Sequence, residues 1–398
     1  MENNADLVLV FQTTLKDILT WWMDHTVDRE HGGFHGRITN DYEVVKGAVK
    51  GSVLNARILW SFSAGYLSEG EGAYLSMAER AFNYIRKYFV DEEYGGVYWS
   101  ISEAGAPVDT KKQIYAIAFT IFGLTEYYRA RPDKEVLELA KQLYQSIEEH
   151  SYDKEHGGYE EALTREWRAI ADLRLSEKDA NEKKTMNTHL HILEAYTHLY
   201  RIWQDGELAG KIRGLIKNFT DHIVDGSSHH LRLFFGEDWE VRSNIVSYGH
   251  DIEASWLLME AAEVLEDAAL VEKVRKTAIA ITRASEEGMN TDGSMSYELE
   301  GDHLVKERHW WVQAEAMVGF LNAWKLTGEA GFYERFLHVW DYVRTYIIDG
   351  KRGEWFWGRT ADGIIMEGED KAGFWKCPYH NSRACIEVLR RLTSAATI

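Results

Sequence analysis

The chain has few cysteines, few prolines and no excess of basic residues. Its 398 residues include two cysteines and three prolines, and the formal net charge at pH 7 is −19. Two cysteines cannot build a disulfide framework or a cysteine-rich metal site. Without a basic stripe, the chain is poorly suited to phosphate backbones or anionic membrane surfaces. We therefore expect no nucleic acid and no membrane among its partners.

The sequence also lacks a targeting signal and a linker. Met1 to Asp6 carries Glu2 and Asp6 where a secretory signal would carry Lys or Arg, and no apolar run approaches the length of a membrane span. No Pro-rich or Ser-rich segment separates two domains, and 45% hydrophobic residues suffice for a large core. We expect a cytoplasmic protein with one domain over residues 1–398.

An aspartate-led turn recurs six times. Three copies are nearly identical, and looser copies begin at Asp225, Asp292 and Asp349. The clear copies are Asp28-Arg-Glu-His-Gly-Gly-Phe34, Asp91-Glu-Glu-Tyr-Gly-Gly-Val97 and Asp153-Lys-Glu-His-Gly-Gly-Tyr159. Their spacing averages roughly 64 residues, which is long enough for a helix pair and a short hairpin. The sequence therefore predicts a six-fold repeat.

Apolar residues recur with helical period between these turns, and each interval holds two amphipathic stretches. The pairs are 51–66 with 72–89, 111–129 with 133–150, 187–204 with 206–224, 249–266 with 268–287, and 309–326 with 331–348. A sixth pair forms if 381–392 packs against 7–23, whose apolar faces an open solenoid would leave half-exposed. We predict an all-α fold, an (α/α)6 barrel of six helix pairs with short β-hairpin excursions between repeats.

The first helix of each pair begins with polar and aromatic residues that simple packing does not require. If these helices line the ring, the groups converge on one mouth, as in a ligand pocket. They are Asn55, Arg57, Lys112, Gln113, Tyr115, Asn187, His191, His250, Glu253, His309, Trp310, Trp311, Glu315, His380, Asn381 and Arg383.

Histidines stand at three equivalent places of the repeat, at positions 191, 250 and 380, which favours catalysis over packing. His250 and Glu253 are three residues apart and share a helical face, so the carboxylate could orient the imidazole. His380 lies where the last helix begins, and Asn381 or Ser382 could cap that helix. The helix dipole would lower the pKa of His380 and keep it a neutral base.

No glycine-rich nucleotide motif is present, so we expect no cofactor. Two acid–base histidines, a carboxylate, the cation Arg57 and aromatic walls suit proton removal beside a carbonyl, with the enediolate stabilised by Arg57 and by helix N-termini. A metal held by His250, Glu253, His191 and His380 is a less favoured alternative.

Four runs carry a resemblance to a known family. They are Lys184–Glu194, Tyr248–Trp256, Arg308–Glu315 and Phe374–Arg383, with Asn55-Ala-Arg57 and Lys112-Gln-Ile-Tyr115 also in place. These runs resemble the N-acylglucosamine 2-epimerase superfamily and, within it, the cellobiose 2-epimerases. The most specific of them is Trp375-Lys-Cys-Pro-Tyr-His-Asn381.

The resemblance implies an isomerase that needs no cofactor or metal and converts the reducing-end glucose of β-1,4-linked disaccharides to mannose. After ring opening, one histidine removes the C2 proton to give a cis-enediolate, and the other returns a proton to the opposite face. The implied catalytic residues are His250, His380 and Glu253, with Glu253 holding His250. The implied substrate-binding residues are Arg57, Tyr115, Asn187, His191, Trp310, Trp311, Glu315 and Trp375, and the tryptophans stack on the sugars. We expect a monomer or weak homodimer.

Three alternatives remain open from the residues. An aldose–ketose isomerase of the mannose type would return the proton to C1 instead of C2. A glycoside hydrolase on the same barrel would use a carboxylate pair such as Asp251 with Glu315. A non-catalytic interaction module would need neither histidine.

Overall fold

The computed structural model describes residues 4–394. Residues 1–3 and 395–398 lie outside this range, so part of the Met1–Asp6 stretch behind the cytoplasmic expectation is not described. The prediction of one domain over residues 1–398 stays a prediction for the same reason. Within the described range, no helix has both the length and the apolar character needed to cross a membrane.

Residues 4–394 contain twelve α-helices joined by short strands and turns. The helices are α1 (Asn4–His25), α2 (Ser52–Glu69), α3 (Gly72–Tyr84), α4 (Ile114–Ala130), α5 (Lys134–His150), α6 (Met186–Ile202), α7 (Gly206–Asn218), α8 (Tyr248–Val264), α9 (Ala268–Ser285), α10 (Trp310–Thr327), α11 (Ala330–Tyr342) and α12 (Tyr379–Thr393).

The even-numbered helices form a closed inner ring. Each packs against the next, from α2 through α4, α6, α8 and α10 to α12, and α12 packs against α2. The odd-numbered helices lie outside, and α1 packs against α12 so that the two ends of the chain meet. The predicted (α/α)6 barrel and its closure by the terminal helices are therefore confirmed.

Burial separates the two rings of helices. In α2 every residue from Ser52 to Gly65 is buried, because this helix is covered on all sides. In α5 only one stripe is buried, and its members are spaced by three or four residues, as expected for a helix with one face on the core. Three outer helices end in a wider π-helical turn, at 85–89, 219–223 and 343–347, within the stretches predicted as plain helix.

Short antiparallel strands hold the N-terminal ends of the inner helices. They are β1 (Lys50–Gly51), β2 (Ser100–Ile101), β3 (Pro107–Asp109), β4 (Lys112–Gln113), β5 (Ala162–Leu163), β6 (Lys184–Thr185), β7 (Phe234–Phe235), β8 (Ile245–Ser247), β9 (Glu298–Glu300), β10 (His303–Val305), β11 (Arg308–His309) and β12 (Gly358–Arg359). The sheets are β1-β2-β3, β4-β5, β6-β7, β8-β9-β10 and β11-β12. Strands β1, β4, β6, β8 and β11 directly precede inner helices, so each pairing ties one helix start to the following repeat.

A buried lysine forms an ion pair with the aspartate of each clear turn and of the looser copy at Asp349, and we call each such pair a clasp. Oδ1 of Asp28 accepts the backbone N–H groups of Glu30 and His31, and Oδ2 lies 2.7 Å from Nζ of the buried Lys50. Equivalent pairs join Asp91 to Lys112, Asp153 to Lys184 and Asp349 to Lys371. The turn itself needs glycine, since Gly158 has φ +79° and a Cβ there would meet Trp239 and His189. These clasps anchor the turns beside the barrel mouth.

Candidate active site

Side chains from all six inner helices meet at the end of the ring where these helices begin. Arg57 of α2 contacts Tyr115 of α4, whose ring packs against His191 of α6. Glu253 of α8 contacts Arg383 of α12. Glu315 of α10 also contacts Arg383, so residues far apart in sequence share one buried cluster.

Arg383 lies at the centre of this cluster. Its Nη2 donates to Oε1 of Glu253 at 2.6 Å and to Oε1 of Glu315 at 2.7 Å, and its Nη1 donates to Glu194. The guanidinium also stacks on Trp256, with 4.7 Å to the ring centroid. Arg383 was among the polar residues at the helix starts, but its spacing to the three glutamates gives no sign that it binds them.

Burial raises the pKa of all three glutamates, but their neighbours leave them with different pKa values. Burial and the charge of Glu315 raise the pKa of Glu253. Burial also raises the pKa of Glu315 and Glu194, but the charge of Arg383 and hydrogen bonds lower both below the ordinary value. Glu253 is therefore the first of the three to take up a proton.

His250 is held by a serine. Its Nδ1 lies 2.8 Å from Oγ of Ser247, the residue that precedes α8. The prediction that Glu253 orients His250 is therefore wrong, because Glu253 turns toward the permanent charge of Arg383. Ser247 was missed, although it stands three residues before the histidine at the helix start.

His380 is held by a carboxylate from the neighbouring helix. Its Nδ1 lies 2.7 Å from Oε1 of Glu315. An ionised carboxylate only accepts, so Nδ1 carries the proton and Nε2 presents its lone pair. The predicted caps are not formed, since α12 begins at Tyr379 without a side-chain cap and Asn381 donates instead to Glu354.

Both histidines are neutral at physiological pH. Burial, together with the neighbouring His191 and His380, lowers the pKa of His250 to about 3. Burial also lowers the pKa of His380 to about 3, where Glu315 opposes the shift and Arg57 supports it. The predicted direction for His380 agrees with this result, but burial is the main cause.

Arg57 is a buried cation without an acidic partner. Nη2 donates to the hydroxyl of Tyr115 at 2.7 Å, and Nη1 lies 3.8 Å from Sγ of Cys377. The ring of Phe119 covers the guanidinium, with 4.1 Å to its centroid. No carboxylate of residues 4–394 forms an ion pair with it, so the charge remains available to an anionic group.

Of the two predicted sugar-binding residues of α6, His191 lies beside this cation, with its ring against Tyr115 and Phe119. Nδ1 of His191 lies 2.9 Å from Oε2 of Glu194, and the imidazole packs on Phe119 with centroids 4.6 Å apart. Oδ1 of Asn187 is buried and has no hydrogen-bond partner within residues 4–394.

The three predicted tryptophan platforms differ in exposure. Trp311 is half-buried, and its ring centroid lies 4.8 Å from that of His250 and 5.7 Å from that of His380. Trp375 is also half-buried. Trp310 is only 2% exposed and packs against Trp357, so it has no open face for a sugar ring.

Several polar residues at the helix starts have structural contacts instead. Lys112 clasps Asp91, and Gln113 donates to the carbonyl oxygens of Leu173 and Arg174. Asn55 donates to the carbonyl oxygen of Gly51.

Two alternative uses of these residues meet geometric obstacles. Donor atoms of Glu253, Glu315 and His380 lie within 4.8 Å of one another, as in a metal site, but Arg383 already binds both carboxylates. The hydrolase pair requires Asp251 beside Glu315. Instead, Asp251 lies 2.7 Å from Nδ1 of His230 and accepts the backbone N–H of Leu231, which ties it to the fourth turn.

Comparisons with known proteins agree with the fold and with the family that the four sequence runs resemble. A family profile described as N-acylglucosamine 2-epimerase (GlcNAc 2-epimerase) matches residues 32–384. The cellobiose 2-epimerase of Bacteroides fragilis is 52% identical over 374 residues, which cover 94% of this chain and 95% of that protein. That of Ruminococcus albus is 39% identical over 375 residues, with coverage of 94% and 96%.

A solved structure gives the same result. The cellobiose 2-epimerase from Bacillus thermoamylovorans matches with a TM-score of 0.93 and 42% identity, covering 97% of this chain and 100% of that chain. The resemblance inferred from the sequence is thus confirmed. This chain belongs to the N-acylglucosamine 2-epimerase family.

Proposed function

We propose that this isomerase epimerises C2 of the reducing-end glucose of β-1,4-linked disaccharides, converting cellobiose to glucosyl-mannose and lactose to epilactose. The named activity of the similar proteins supports the substrate class. The observation that carries the proposal is the pair His250 and His380, two neutral imidazoles packed on the single ring of Trp311.

Each imidazole has one nitrogen engaged and one free for chemistry. Nδ1 of His250 is bound to Ser247 and Nδ1 of His380 to Glu315, and no residue of 4–394 hydrogen-bonds either Nε2. A neutral imidazole with a free Nε2 can accept a proton from carbon, and the resulting imidazolium can return one. Two such groups can serve the two faces of one carbon.

The steps then follow from the chemistry of an open-chain aldose. One Nε2 removes the C2 proton, the C–H electrons form a C1–C2 double bond, and the carbonyl oxygen becomes the enediolate anion. Arg57, whose charge no carboxylate neutralises, stabilises that oxygen. The first imidazolium releases its proton to solvent, and Nε2 of the second ring takes one up. Rotation about C2–C3 then presents the other face of the enediolate, and this second Nε2 gives its proton to C2 and becomes neutral again. The aldehyde of the substrate supplies the acidity at C2, so the step needs no oxidant.

Product analysis in deuterated water tests this proposal. Cellobiose should give glucosyl-mannose that carries deuterium at C2. A ketose as the main product would mean protonation at C1, as in an aldose–ketose isomerase. Free glucose would mean hydrolysis. Either result would contradict the proposal.

A further inference from the structure

The carboxylate-bearing residue Glu298 lies opposite Ser247, the serine that binds His250, on the neighbouring strand. Strand β8 ends at Ser247 and pairs antiparallel with β9, and in this register Ser247 lies directly opposite Glu298. Directly opposed residues of antiparallel strands have Cβ atoms about 4.5–5.5 Å apart and share one face of the sheet. Glu298 is half-buried at the edge of the site.

The residue that precedes β9, Tyr297, borders the aromatic wall of the site. Tyr297 stacks on His309 with centroids 4.1 Å apart, and it meets the edge of Trp311 at 6.2 Å. Trp311 in turn packs on His250. The strand that carries Glu298 is thus fixed against the ring that both histidines share.

We propose that Glu298, acting through the hydroxyl of Ser247, holds His250 in the tautomer whose Nε2 can remove a proton from carbon. An ionised Glu298 accepts the O–H of Ser247, so Oγ of Ser247 must accept the Nδ1–H of His250. Nε2 then carries a lone pair. When Nε2 takes the substrate proton, the negative carboxylate stabilises the imidazolium through the same chain.

Protonation of Glu298 reverses the direction of both hydrogen bonds. The carboxyl O–H then donates to Ser247, Ser247 donates to Nδ1 of His250, and the proton of the neutral ring moves to Nε2. Burial, with the charges of Glu300 and Asp179, raises the pKa of Glu298 to about 7, while hydrogen bonds from the hydroxyls of Tyr297 and Ser247 oppose the shift. We call the hydrogen-bonded series Glu298, Ser247 and His250 the relay. It keeps Nε2 of His250 unprotonated above neutral pH and loses this effect below it.

Ser247 and Glu298 are positioning residues, and the inference rests on the proposed function. Ser247→Ala should lower kcat roughly 10- to 100-fold with little change in KM, the range for loss of a group that orients a functional histidine. Ser247→Thr keeps the hydroxyl and should restore most of the activity. Equal losses of kcat in both variants would contradict the relay, because they would show that the hydroxyl group of Ser247 is not needed.

The pH profile of kcat gives the second readout. The wild-type profile should fall on the acid side with an apparent pKa near 7. Glu298→Gln should lower kcat at pH 8 and abolish this fall. The matched control Glu300→Gln, on the same strand but exposed, should keep kcat at pH 8 and shift the fall to lower pH, because it removes a like charge.

Two results would overturn the relay. If kcat of Glu298→Gln still falls at acid pH as in the wild type, a group other than Glu298 causes that fall. A raised KM with unchanged kcat would mean that Glu298 contacts the sugar instead of acting through Ser247. If the wild-type chain forms the C2 epimer while either result is found, only the relay fails and the proposed function stands.

Discussion

The imidazole of His380 and the carboxylate of Glu315 are joined by a hydrogen bond of 2.7 Å between Nδ1 and Oε1, although 65 residues separate them in the chain. The bond crosses from α12 to α10, the inner helix beside it. It fixes the plane of the ring and directs Nε2 away from Glu315. The site therefore depends on contacts between neighbouring inner helices.

Glu315→Gln should impair His380 without unfolding the barrel. The amide can present its NH2 group to Nδ1 and so stabilise the wrong tautomer. We expect kcat to fall between about 10²- and 10⁴-fold, the range for loss of an orienting carboxylate. Steady-state kinetics on cellobiose measure this effect. The exposed Glu329→Gln serves as control and should match the wild type.

Arg57→Met should separate activity from stability. Arg57 is 3% exposed and lacks an acidic partner, so its buried charge is costly to desolvate. We expect kcat to fall about 10²–10³-fold through loss of enediolate stabilisation. Chemical denaturation should show an unchanged or higher free energy of unfolding. A large loss of stability would mean that Arg57 serves packing instead.

The two adjacent tryptophans should respond differently to alanine substitution. Trp310→Ala should lower the free energy of unfolding by about 3–5 kcal/mol, because it removes a buried side chain. For Trp311→Ala, we expect loss of about 1.5–3 kcal/mol of apolar contact with the sugar. That loss corresponds to a rise in KM of about 10- to 100-fold. Denaturation and kinetics on both variants distinguish the two roles, and a KM effect confined to Trp310→Ala would contradict this assignment.

The Asp28–Lys50 clasp should stabilise the fold in a pH-dependent way. Burial raises the pKa of Asp28, but the N–H of His31 and the charge of Lys50 outweigh it and lower the pKa to about 2. A lowered folded-state pKa gives stability that is present above the unfolded value, near pH 4, and is lost as pH falls toward 2.

Lys50→Met would leave Asp28 buried without its cation. The free energy of unfolding should fall by about 3–5 kcal/mol at pH 7. The difference from the wild type should narrow as pH falls and should be smallest near pH 2, because Asp28 takes up a proton at a higher pH in the variant than in the wild type. Denaturant titrations across pH measure this change, with the exposed Lys46→Met as control. An equal loss at every pH would contradict the ionic role of the clasp.

The sequence was sufficient to predict the repeat and the ring, because both rest on regular spacing. The Asp-led turns mark the period, and the apolar faces of 7–23 and 381–392 require each other. Placement of polar residues at the helix starts also predicted several of the groups that gather, such as Arg57, Tyr115 and Glu315, although Lys112 and Gln113 make structural contacts instead. Partner choice was not predictable in this way. Glu253 binds Arg383, 130 residues away, and no local spacing encodes that contact.

Burial was the other quantity that the sequence left open. Trp310 and Trp311 are neighbours on one helix, yet the first faces Trp357 and the second faces the histidines. The rotation of α10 within the ring decides between them. The same rotation places Glu315 beside His380.

Exchange of the C2 hydrogen in deuterated water by His250→Ala and His380→Ala tests the central claim most directly. Each variant should lose net epimerisation by about 10²–10⁴-fold, the range for loss of one acid–base group. Each should still exchange C2 hydrogen in one epimer only, and the two variants should act on opposite epimers, cellobiose in one case and glucosyl-mannose in the other. Two results would contradict the claim that the two histidines serve opposite faces of one carbon. In the first, both variants exchange the C2 hydrogen of the same epimer. In the second, either variant exchanges the C2 hydrogen of both epimers.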